Sequence, residues 1–556
     1  MSASREKQNR QAGGQASPKT AREAQQRQQE KRNSLLYGLI AAAFLIVVVI
    51  SAVWRSDVIP RMTTAATIDG EKYNAAEVAY FYQSSYNNFV NQYSYFVSYL
   101  GLDTNTSLKS QEISADTAAM LGITLPGSED ENTDSAGTDT SGEDAGTNGT
   151  DAGTEGEDTA PASTGMTWHD YFLDQALENM AVIQATLKAA DAEGFQTPAG
   201  IQAQYDDNMT SLKAAAAASG VSVSQYLKGT FGAGINEKIY GEQLMRVLRY
   251  GAYAQAYQDS LSYSDSQLEE VYNSDRNTYD QVSYEIASLS GTADTTTDAD
   301  GNTVEPTEEE SAAALAAAQD AAKAILEGVQ NGEQLEDLAE EYNATYSRNE
   351  NGTYSAGSVT GEWLYDSSRT AGDSAALEDG TSQYVLVFHD RFRDESPTID
   401  IRHILVRPAT GALTEEDEGY DEEQAQLKAD AHTKAEELLA QWQSGEATED
   451  SFAALAMTES ADGSKYDGGL YTEVYQGQMV AEFNDWCFDA DRQPGDTGVV
   501  DTQYGSHVMY FSGDNLCRWQ TSASAVLRNE DYVAWEEGFI ENTSIERQES
   551  GLKYIG

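Results

Sequence analysis

Two histidines stand alone in strand-like stretches of the sequence and are the first candidates for chemistry. His403 lies in "IDIRHILVRP" and His507 in "DTQYGSHVMYF", each at a position where the alternating pattern predicts an apolar residue. Alternation with a period of two predicts β-strands, so the two rings can lie in one small sheet. Imidazole both donates and accepts hydrogen bonds, so two such rings can form a polar centre within an apolar sheet.

An internal repeat distinguishes a functional histidine pair from two core residues. A shift of 123 positions lays residues 485–511 over residues 362–388 without a gap, and Trp, Asp, Arg, Gly, Val and Phe residues coincide. In the first copy Ile286 stands for His403, and Tyr384 stands for His507. A single strand histidine is usually a core residue, but the first copy shows that the fold does not need these two. We therefore interpret the pair as functional.

Three further residues lie between the histidine strands. Asp462 is in the turn-rich stretch "TESADGSKYDGG", where its carboxylate can reach the histidine pair. Met479 and Phe483 in "GQMVAEF" are four residues apart, so we expect them to share one face of a helical turn and to form an apolar floor. Alone, that apolar pair would indicate only a core.

The motifs "RHILV", "ESAD", "GG", "GQMVAEF", "GDTGVV" and "YGSHV" follow one another through the second copy. Together they resemble a parvulin-type peptidyl-prolyl isomerase. The resemblance implies that His403 and His507 hydrogen-bond at the floor of the site and that Asp462 faces the substrate carbonyl. It implies that Met479 and Phe483 hold the proline ring, and it implies no metal ion and no other cofactor.

The second copy departs from that family in two places. After Gly468 and Gly469 the family usually continues Asp-Leu-Gly, whereas this chain has "LYT", and Tyr504 occupies a position that varies. The loop after the first histidine strand has only Arg407 before a run of acidic residues. Like charges repel, so recognition of a phosphorylated residue before proline is disfavoured.

The charge and cysteine content of the 556-residue chain exclude several classes of protein. With 92 acidic and 34 basic residues, the formal charge is −58, which repels phosphate backbones, so we expect no nucleic-acid partner. Cys487 and Cys517 are the only cysteines, so neither a disulfide framework nor a cysteine-rich zinc site can form. One disulfide is compatible with this count.

Residues 35–54 form an uncharged apolar run long enough to span a lipid bilayer. Residues 1–34 are rich in Lys and Arg, which predicts a cytoplasmic N-terminus and an extracytoplasmic location for the rest of the chain. A cleaved signal peptide is the alternative, but no clear cleavage site follows the run. We therefore predict a single-pass protein of the cell membrane.

The helix predicted after "ATIDGEKYN" has a clear start and an aromatic stripe. Asn74 and Glu77 have the spacing of a capping box. Aromatic residues then recur every three or four positions, which indicates either a core face or a surface that holds unfolded chains. The residues of the stripe are Tyr82, Tyr86, Phe89, Tyr93 and Phe96.

The predicted fold class is α+β, with a transmembrane helix, a helical domain and two α+β modules, of which the first is degenerate. The stretches "TIDGEKYNAAEVAYFY" and "SDSQLEEVYNSDRNTY" resemble the chaperone domain of SurA- and PrsA-type extracytoplasmic foldases. We expect this domain to be completed by a C-terminal helix. The predicted segments are 55–126 (chaperone domain, first part), 127–165 (disordered acidic insertion), 166–279 (chaperone domain, second part), 280–392 (degenerate parvulin-like module), 397–513 (isomerase domain) and 514–556 (C-terminal helix).

These features predict a membrane-anchored foldase that isomerises X-Pro bonds in unfolded or newly exported proteins. The lipid bilayer is the second expected partner, through residues 35–54. The alternative is a non-enzymatic holdase chaperone whose second module only binds chains. A scaffold or adhesin of the cell envelope is a third class, which binding to one folded partner would distinguish.

Overall fold

The computed structural model of the chain describes residues 57–123, 163–297 and 302–556. The predicted tail 1–34 and the predicted transmembrane helix 35–54 lie outside these residues. Among the helices that are described, none combines the length and the apolar character needed to cross a bilayer. The described chain is α+β, as predicted, and it divides into two compact units.

The described part of the first unit comprises residues 57–123, 163–195, 205–250 and 536–556 and is mainly helical. In its antiparallel three-stranded sheet, Thr64–Ile68 lies between Glu71–Asn74 and Ile545–Arg547. A second, two-stranded sheet pairs Glu112–Ser114 with Ser163–Thr167. The helices wholly within this unit are Val58–Met62, Ala75–Gln92, Ala115–Met120, Trp168–Glu193, Val223–Phe231 and Glu549–Leu552. Three more helices contribute residues to both units: Ala199–Ala218, Glu237–Ser260 and Arg518–Ile540.

The aromatic helix Ala75–Gln92 begins as the sequence predicts. Asn74 accepts hydrogen bonds from the backbone amides of Ala76 and Glu77, and the Glu77 carboxylate accepts one from the Asn74 amide. Most of the aromatic stripe belongs to the core of the first unit. Phe96 is the exception, because the helix ends at Gln92 and the following turns leave this ring 62% exposed.

His169 lies in this core, although its polar neighbours suggest a surface position. It is 8% exposed, and its Nδ1 lies 3.1 Å from the hydroxyl of Tyr82. It follows Trp168 at the start of Trp168–Glu193, whose first turns pack a nearly continuous apolar surface into the unit. Burial of the ring lowers the pKa of His169.

The second unit comprises residues 196–204 and 251–535 and contains both modules. The helix Asp265–Ser274 precedes them and packs on the start of Arg518–Ile540 through a cluster that includes Leu268, Tyr272 and Trp519. Residues 251–279 and 514–535 belong to the second unit together with the modules. The domain boundaries drawn from the sequence remain predictions.

Both modules have the same antiparallel four-stranded sheet, with the order second, first, fourth, third strand. The first module is built from the strands Asp280–Ser290, Thr345–Gly352, Ser374–Asp379 and Ser382–Arg393 and the helices Glu308–Gln330, Leu335–Glu341 and Val359–Leu364. The second module is built from the strands Pro397–Val406, Leu470–Val474, Thr497–Thr502 and Gly505–Cys517 and the helices Tyr420–Ser444, Glu449–Glu459 and Ala481–Cys487. The sequence pattern indicated only the first and last strand of each module, because the other two are edge strands without clear alternation.

Each module also contains the same three-residue contact, which we call the clasp. Arg369 lies 4.6 Å from the ring centre of Trp363 and pairs with Asp373, and Arg492 lies 3.9 Å from that of Trp486 and pairs with Asp496. The clasp residues in the two modules are 123 positions apart, as are the other residues of the ungapped repeat. The clasp holds the short helix of each module next to the turn before its third strand.

Candidate functional site

The two histidines lie on neighbouring central strands of the second module. His403 is on Pro397–Val406, the first histidine strand, and His507 is on Gly505–Cys517, the second histidine strand. His403 is paired with Met509, two residues beyond His507, so the two histidines are diagonal neighbours on one face of the sheet. They are 1% and 5% exposed, respectively. The register therefore places both imidazoles in a nearly closed space.

The imidazoles form the centre of a polar chain. The Nδ1 atoms of His403 and His507 lie 3.1 Å apart, and the rings stack at 5.3 Å. At the outer ends, His403 Nε2 lies 3.4 Å from Asp462 Oδ1, and His507 Nε2 lies 3.0 Å from the hydroxyl of Thr502. Because the Asp462 carboxylate only accepts hydrogen bonds, His403 Nε2 donates towards it, and the facing Nδ1 atoms share one proton.

Burial, together with the neighbouring His403, lowers the pKa of His507 to about 4. A ring removed from water loses the hydration that stabilises its cation. His507 is therefore neutral at physiological pH. Among the described residues there is no group of three or more His, Cys, Asp or Glu side chains that could hold a metal ion.

Asp462 is held beside the histidines by a loop bonded to the first histidine strand. The amide of Leu405 donates to the hydroxyl of Ser460, which also accepts from the amide of Asp462. Ala461 donates its amide to the carbonyl of Leu405. Asp462 then caps a short 3₁₀ helix, Gly463–Asp467, by accepting the amide of Ser464. These bonds bring the predicted carboxylate to the histidine pair.

The carboxylate of Asp462 is a well-supported anion. Ser464 donates to Oδ1 from its amide at 2.8 Å and from its hydroxyl at 2.6 Å, and Tyr471 donates its hydroxyl at 3.1 Å. The hydrogen bond from His403, followed by those from Ser464, holds the pKa of Asp462 far below its usual range, although burial opposes this shift. The site therefore combines a fixed negative charge with a neutral His507.

The glycine pair allows the loop to approach the first histidine strand. Gly469 has a φ of +75°, and a Cβ atom there would lie 2.3 Å from the carbonyl oxygen of His403. Gly468 has a φ of +68°, and its Cβ would lie 2.5 Å from that of Ala453. A side chain at position 469 would therefore displace the strand that carries His403, and one at position 468 would displace the helix that carries Ala453.

Phe483 and Met479 form an apolar wall of the site. Phe483 is buried, and its ring meets those of His403 and His507 edge-on at 5.5 and 5.3 Å. Met479 is partly buried and packs on the same hydrophobic cluster. The two side chains and the histidines thus border one space, with apolar groups on one side and polar groups on the other.

The four-residue spacing predicts that Met479 and Phe483 share a helical turn. In the structure Met479 lies outside the helix that carries Phe483. The helix is Ala481–Cys487, and Met479 lies between it and a preceding turn in which the Gln478 amide donates to the carbonyl of Tyr475. The spacing is compatible with a helix, but the helix begins two residues after Met479. Cys487 in this helix is buried, and neither it nor Cys517 forms a disulfide.

Sequence reasoning missed three residues that contact the polar chain. Thr502 ends the third strand, Ser464 follows the Asp462 cap, and Tyr471 lies on the second strand with its ring 4.7 Å from that of His403. The signal for Tyr471 is the "LYT" departure from the family pattern. No pattern identifies Thr502 or Ser464, because Ser and Thr are common in turns for purely local reasons.

The first module lacks all of these groups at matching positions. Ile286 is paired with Leu386 as His403 is paired with Met509, so the strand register supports the alignment made from the sequence. Tyr384 is at the position of His507, and Ala356 and Thr360 stand 123 residues before Met479 and Phe483. The first module therefore has the same sheet but lacks the polar chain and the apolar wall.

Comparison with known proteins finds a family model that matches the second module. The family model of the PPIC-type PPIASE domain matches residues 386–513, which end where the predicted isomerase domain ends. No curated protein matches the chain.

Solved structures similar to the chain include PrsA from Bacillus subtilis, with 13% identity, coverage of 67% of this chain and 86% of that one, and a TM-score of 0.26. PrsA from Bacillus anthracis has 20% identity, with coverage of 27% of this chain and 58% of that one, and a TM-score of 0.17. The PPIase domain of TbPar42 has 22% identity, with coverage of 20% and 98%, and a TM-score of 0.16. The assignment of the domain rests on the family model, which matches the module that contains the histidine pair.

Proposed function

The chain carries a PPIC-type peptidyl-prolyl isomerase domain at residues 386–513, and we propose on this basis that it is a foldase for newly exported proteins. The observation that carries the proposal is the buried contact of His403 with His507, bordered by Asp462 and Phe483. His403, Asp462 and His507 are the proposed catalytic residues. Met479 and Phe483 are the proposed contacts for the proline ring.

The chemistry requires no bond to be broken. Rotation about an X-Pro bond meets a barrier of roughly 18 to 20 kcal/mol because amide resonance gives the C–N bond partial double-bond character. An enzyme accelerates rotation by binding the twisted amide better than the planar forms, and about 1.4 kcal/mol of such preference gives a tenfold rate increase. A site with an apolar wall and a fixed charge can supply this preference.

The fixed charge is the Asp462 carboxylate. Resonance places partial negative charge on the amide oxygen, so an anion beside that oxygen disfavours the planar, resonance-stabilised form. The effect is larger in a site with little water than in bulk solvent. The neutral His507 and its partner His403 keep the carboxylate oriented, and the ring of Phe483 buries the pyrrolidine.

A proline-limited refolding assay on the full chain in detergent tests the proposal. We expect the wild-type protein to accelerate the slow phase, and Asp462→Ala to lose at least about tenfold in kcat/KM, or about 1.4 kcal/mol. A folded wild-type protein with no acceleration on several X-Pro substrates would reject the isomerase in favour of the holdase.

We propose that the first unit holds unfolded chains. The observation that favours this role is an open cavity of about 540 Å³, which is lined by seven aliphatic or aromatic residues and six polar residues, two of them glutamates. The apolar lining comes from Tyr80, Phe81, Val182, Ile183, Val247, Tyr250 and Ile540. A chain of this size is large enough to combine holding and isomerisation in different parts.

The membrane anchor is a further part of the proposal. Its support is the sequence of residues 35–54, which fits a span with a basic cytoplasmic flank. We expect the full chain to remain with membranes after alkaline extraction and a C-terminal reporter to be extracytoplasmic. Release of the chain by alkaline extraction would contradict the anchor.

A further inference from the structure

Tyr471 occupies a position in the site that the family pattern gives to an apolar residue. It lies on the strand Leu470–Val474, which pairs with the first histidine strand so that Tyr471 is opposite Ile401. Its ring lies 4.7 Å from that of His403, and its hydroxyl donates to Asp462 Oδ1 at 3.1 Å. One side chain therefore contacts both the histidine pair and the carboxylate.

The hydrogen bonds to Asp462 are asymmetric. The amide and hydroxyl of Ser464, the hydroxyl of Tyr471 and Nε2 of His403 all approach Oδ1. Among the described residues no hydrogen bond to Oδ2 is formed. The side chain of Asp462 is 21% exposed, so Oδ2 is the oxygen that remains for a bound molecule. The groups around Oδ1 thus set the direction in which the carboxylate faces.

Among the donors to Oδ1, Tyr471 and Ser464 lie on different elements of the fold. Ser464 is two residues from Asp462 and makes a local capping contact that any Asp-x-Ser turn can form. Tyr471 comes from a separate strand and fixes the carboxylate relative to the sheet that carries the histidines. Burial, with the nearby Asp462 charge, raises the pKa of Tyr471 to about 12, so its hydroxyl remains a donor at neutral pH.

The first module supplies a comparison. Tyr284 pairs with Asn349 there as Ile401 pairs with Tyr471 in the second module, so Asn349 is at the equivalent position. Its amide lies 3.4 Å from the hydroxyl of Tyr284 and supports no carboxylate. The sheet therefore does not require a tyrosine at this position.

We propose that Tyr471 is a positioning residue of the isomerase site, whose hydroxyl holds Asp462 Oδ1 so that Oδ2 faces the bound amide. The inference rests on the proposed isomerase function. It goes beyond that function by assigning a role to a residue that the family pattern does not contain.

A double-mutant cycle tests this role in the full chain. Tyr471→Phe keeps the ring and removes the hydroxyl, so we expect kcat/KM to fall about 3- to 10-fold, with most of the change in kcat, because one hydrogen bond to a charged group is lost. In an Asp462→Ala background the same substitution should change kcat/KM less than about twofold, because the group on which it acts is absent. Equal effects in the two backgrounds would overturn the proposal.

The matched control is Tyr510→Phe. Tyr510 is on the second histidine strand and packs with Trp442 and Phe452 in a different cluster from the site residues. Removal of its hydroxyl should leave kcat/KM unchanged. A loss equal to that of Tyr471→Phe would indicate a general structural effect and overturn the proposal.

A measurement that needs no activity separates this inference from the proposed function. With selective ¹³C labelling, the carboxyl signal of Asp462 should shift in Tyr471→Phe and stay unchanged in Tyr510→Phe. An unchanged signal in Tyr471→Phe overturns the positioning role. If the signal shifts but the wild-type protein does not isomerise X-Pro bonds, the proposed function fails while the contact itself is supported. Tyr471→Leu serves as a second variant, for which the same carboxyl shift is expected.

Discussion

Tyr384 occupies in the first module the position that His507 occupies in the second. His507 is paired with Leu405 and Val500, and Tyr384 is paired with Ser288 and Leu377 at the matching places of an identical sheet. The strand position therefore accepts either ring. What differs is the surroundings, because only His507 has a second imidazole and an aromatic edge beside it.

The first prediction concerns the exchange of these residues. In His507→Tyr we expect kcat/KM to fall at least about tenfold, because Nδ1 of His403 loses its imidazole partner. The larger ring must also fit against Phe483, so the free energy of unfolding should fall by about 1 to 3 kcal/mol. The reciprocal Tyr384→His is the control and should leave both quantities nearly unchanged. Full isomerase activity in a folded His507→Tyr protein would show that the histidine is structural.

The second prediction is that the first module is catalytically silent. It has Ile286 and Tyr384 in place of the two histidines, and Thr360 in place of Phe483. The full chain with Asp462→Ala and His507→Tyr combined should therefore refold a proline-limited substrate no faster than a buffer control. Residual acceleration that disappears on Tyr384→Ala would locate activity in the first module. It would contradict the interpretation that the histidine pair, which the first module lacks, is what makes the second module active.

The third prediction concerns stability below neutral pH. His507 has a folded-state pKa of about 4, below its ordinary value of 6.5, so the unfolded chain binds its proton first as the pH falls. Stability is full above pH 6.5 and is lost between pH 6.5 and 4, by up to about 3 kcal/mol from this residue. Asp462, whose pKa is also lowered, loses its contribution only at still lower pH.

Denaturant unfolding of the wild-type protein and His507→Gln at pH 7.5, 6, 5 and 4.5 measures this effect. The difference in unfolding free energy between the two proteins should shrink towards acid pH. His169 and His432 titrate in both proteins, so their contributions cancel in the comparison. A difference that stays constant over this range would contradict a buried neutral His507.

The fourth prediction separates holding from isomerisation. Ile540→Glu replaces an apolar residue of the cavity lining in the first unit by a further acidic residue and should reduce suppression of aggregation of an unfolded client. Val533→Glu is an equally exposed change on the same helix outside that lining and serves as the control. Asp462→Ala should leave suppression intact. Loss of suppression in Asp462→Ala, but not in Ile540→Glu, would place the holding surface in the isomerase domain.

Much of the candidate site follows from sequence because its residues occupy unusual places in regular patterns. A histidine in an apolar strand stands out, and so does its absence from a repeat. Tyr471 is harder to find, because a half-buried tyrosine is ordinary in a strand and its partner is nine residues away in a loop. The contact depends on how the glycine pair folds that loop onto the sheet.

In the fold, too, local features can be predicted from sequence and features that depend on distant neighbours cannot. The capping box of Asn74 and Glu77 is local, and the structure contains it. The edge strands Ser374–Asp379 and Thr497–Thr502 are defined by their neighbours in the sheet and carry little pattern of their own. The burial of His169 cannot be predicted from its polar neighbours, because the burial of a polar residue at a helix start depends on what packs against it. The catalytic roles and the domain boundaries remain predictions.

The clasp of Trp, Arg and Asp survives in both copies, while the histidine pair survives in one. The clasp is therefore part of the architecture that both modules share, whereas the histidine pair is not required for that architecture. The first module is accordingly a natural acceptor for protein engineering. Grafting the Asp462 loop with its glycine pair, together with Ile286→His, Tyr384→His and Thr360→Phe, would ask whether an isomerase site can be rebuilt on a sheet that already has the required strand order.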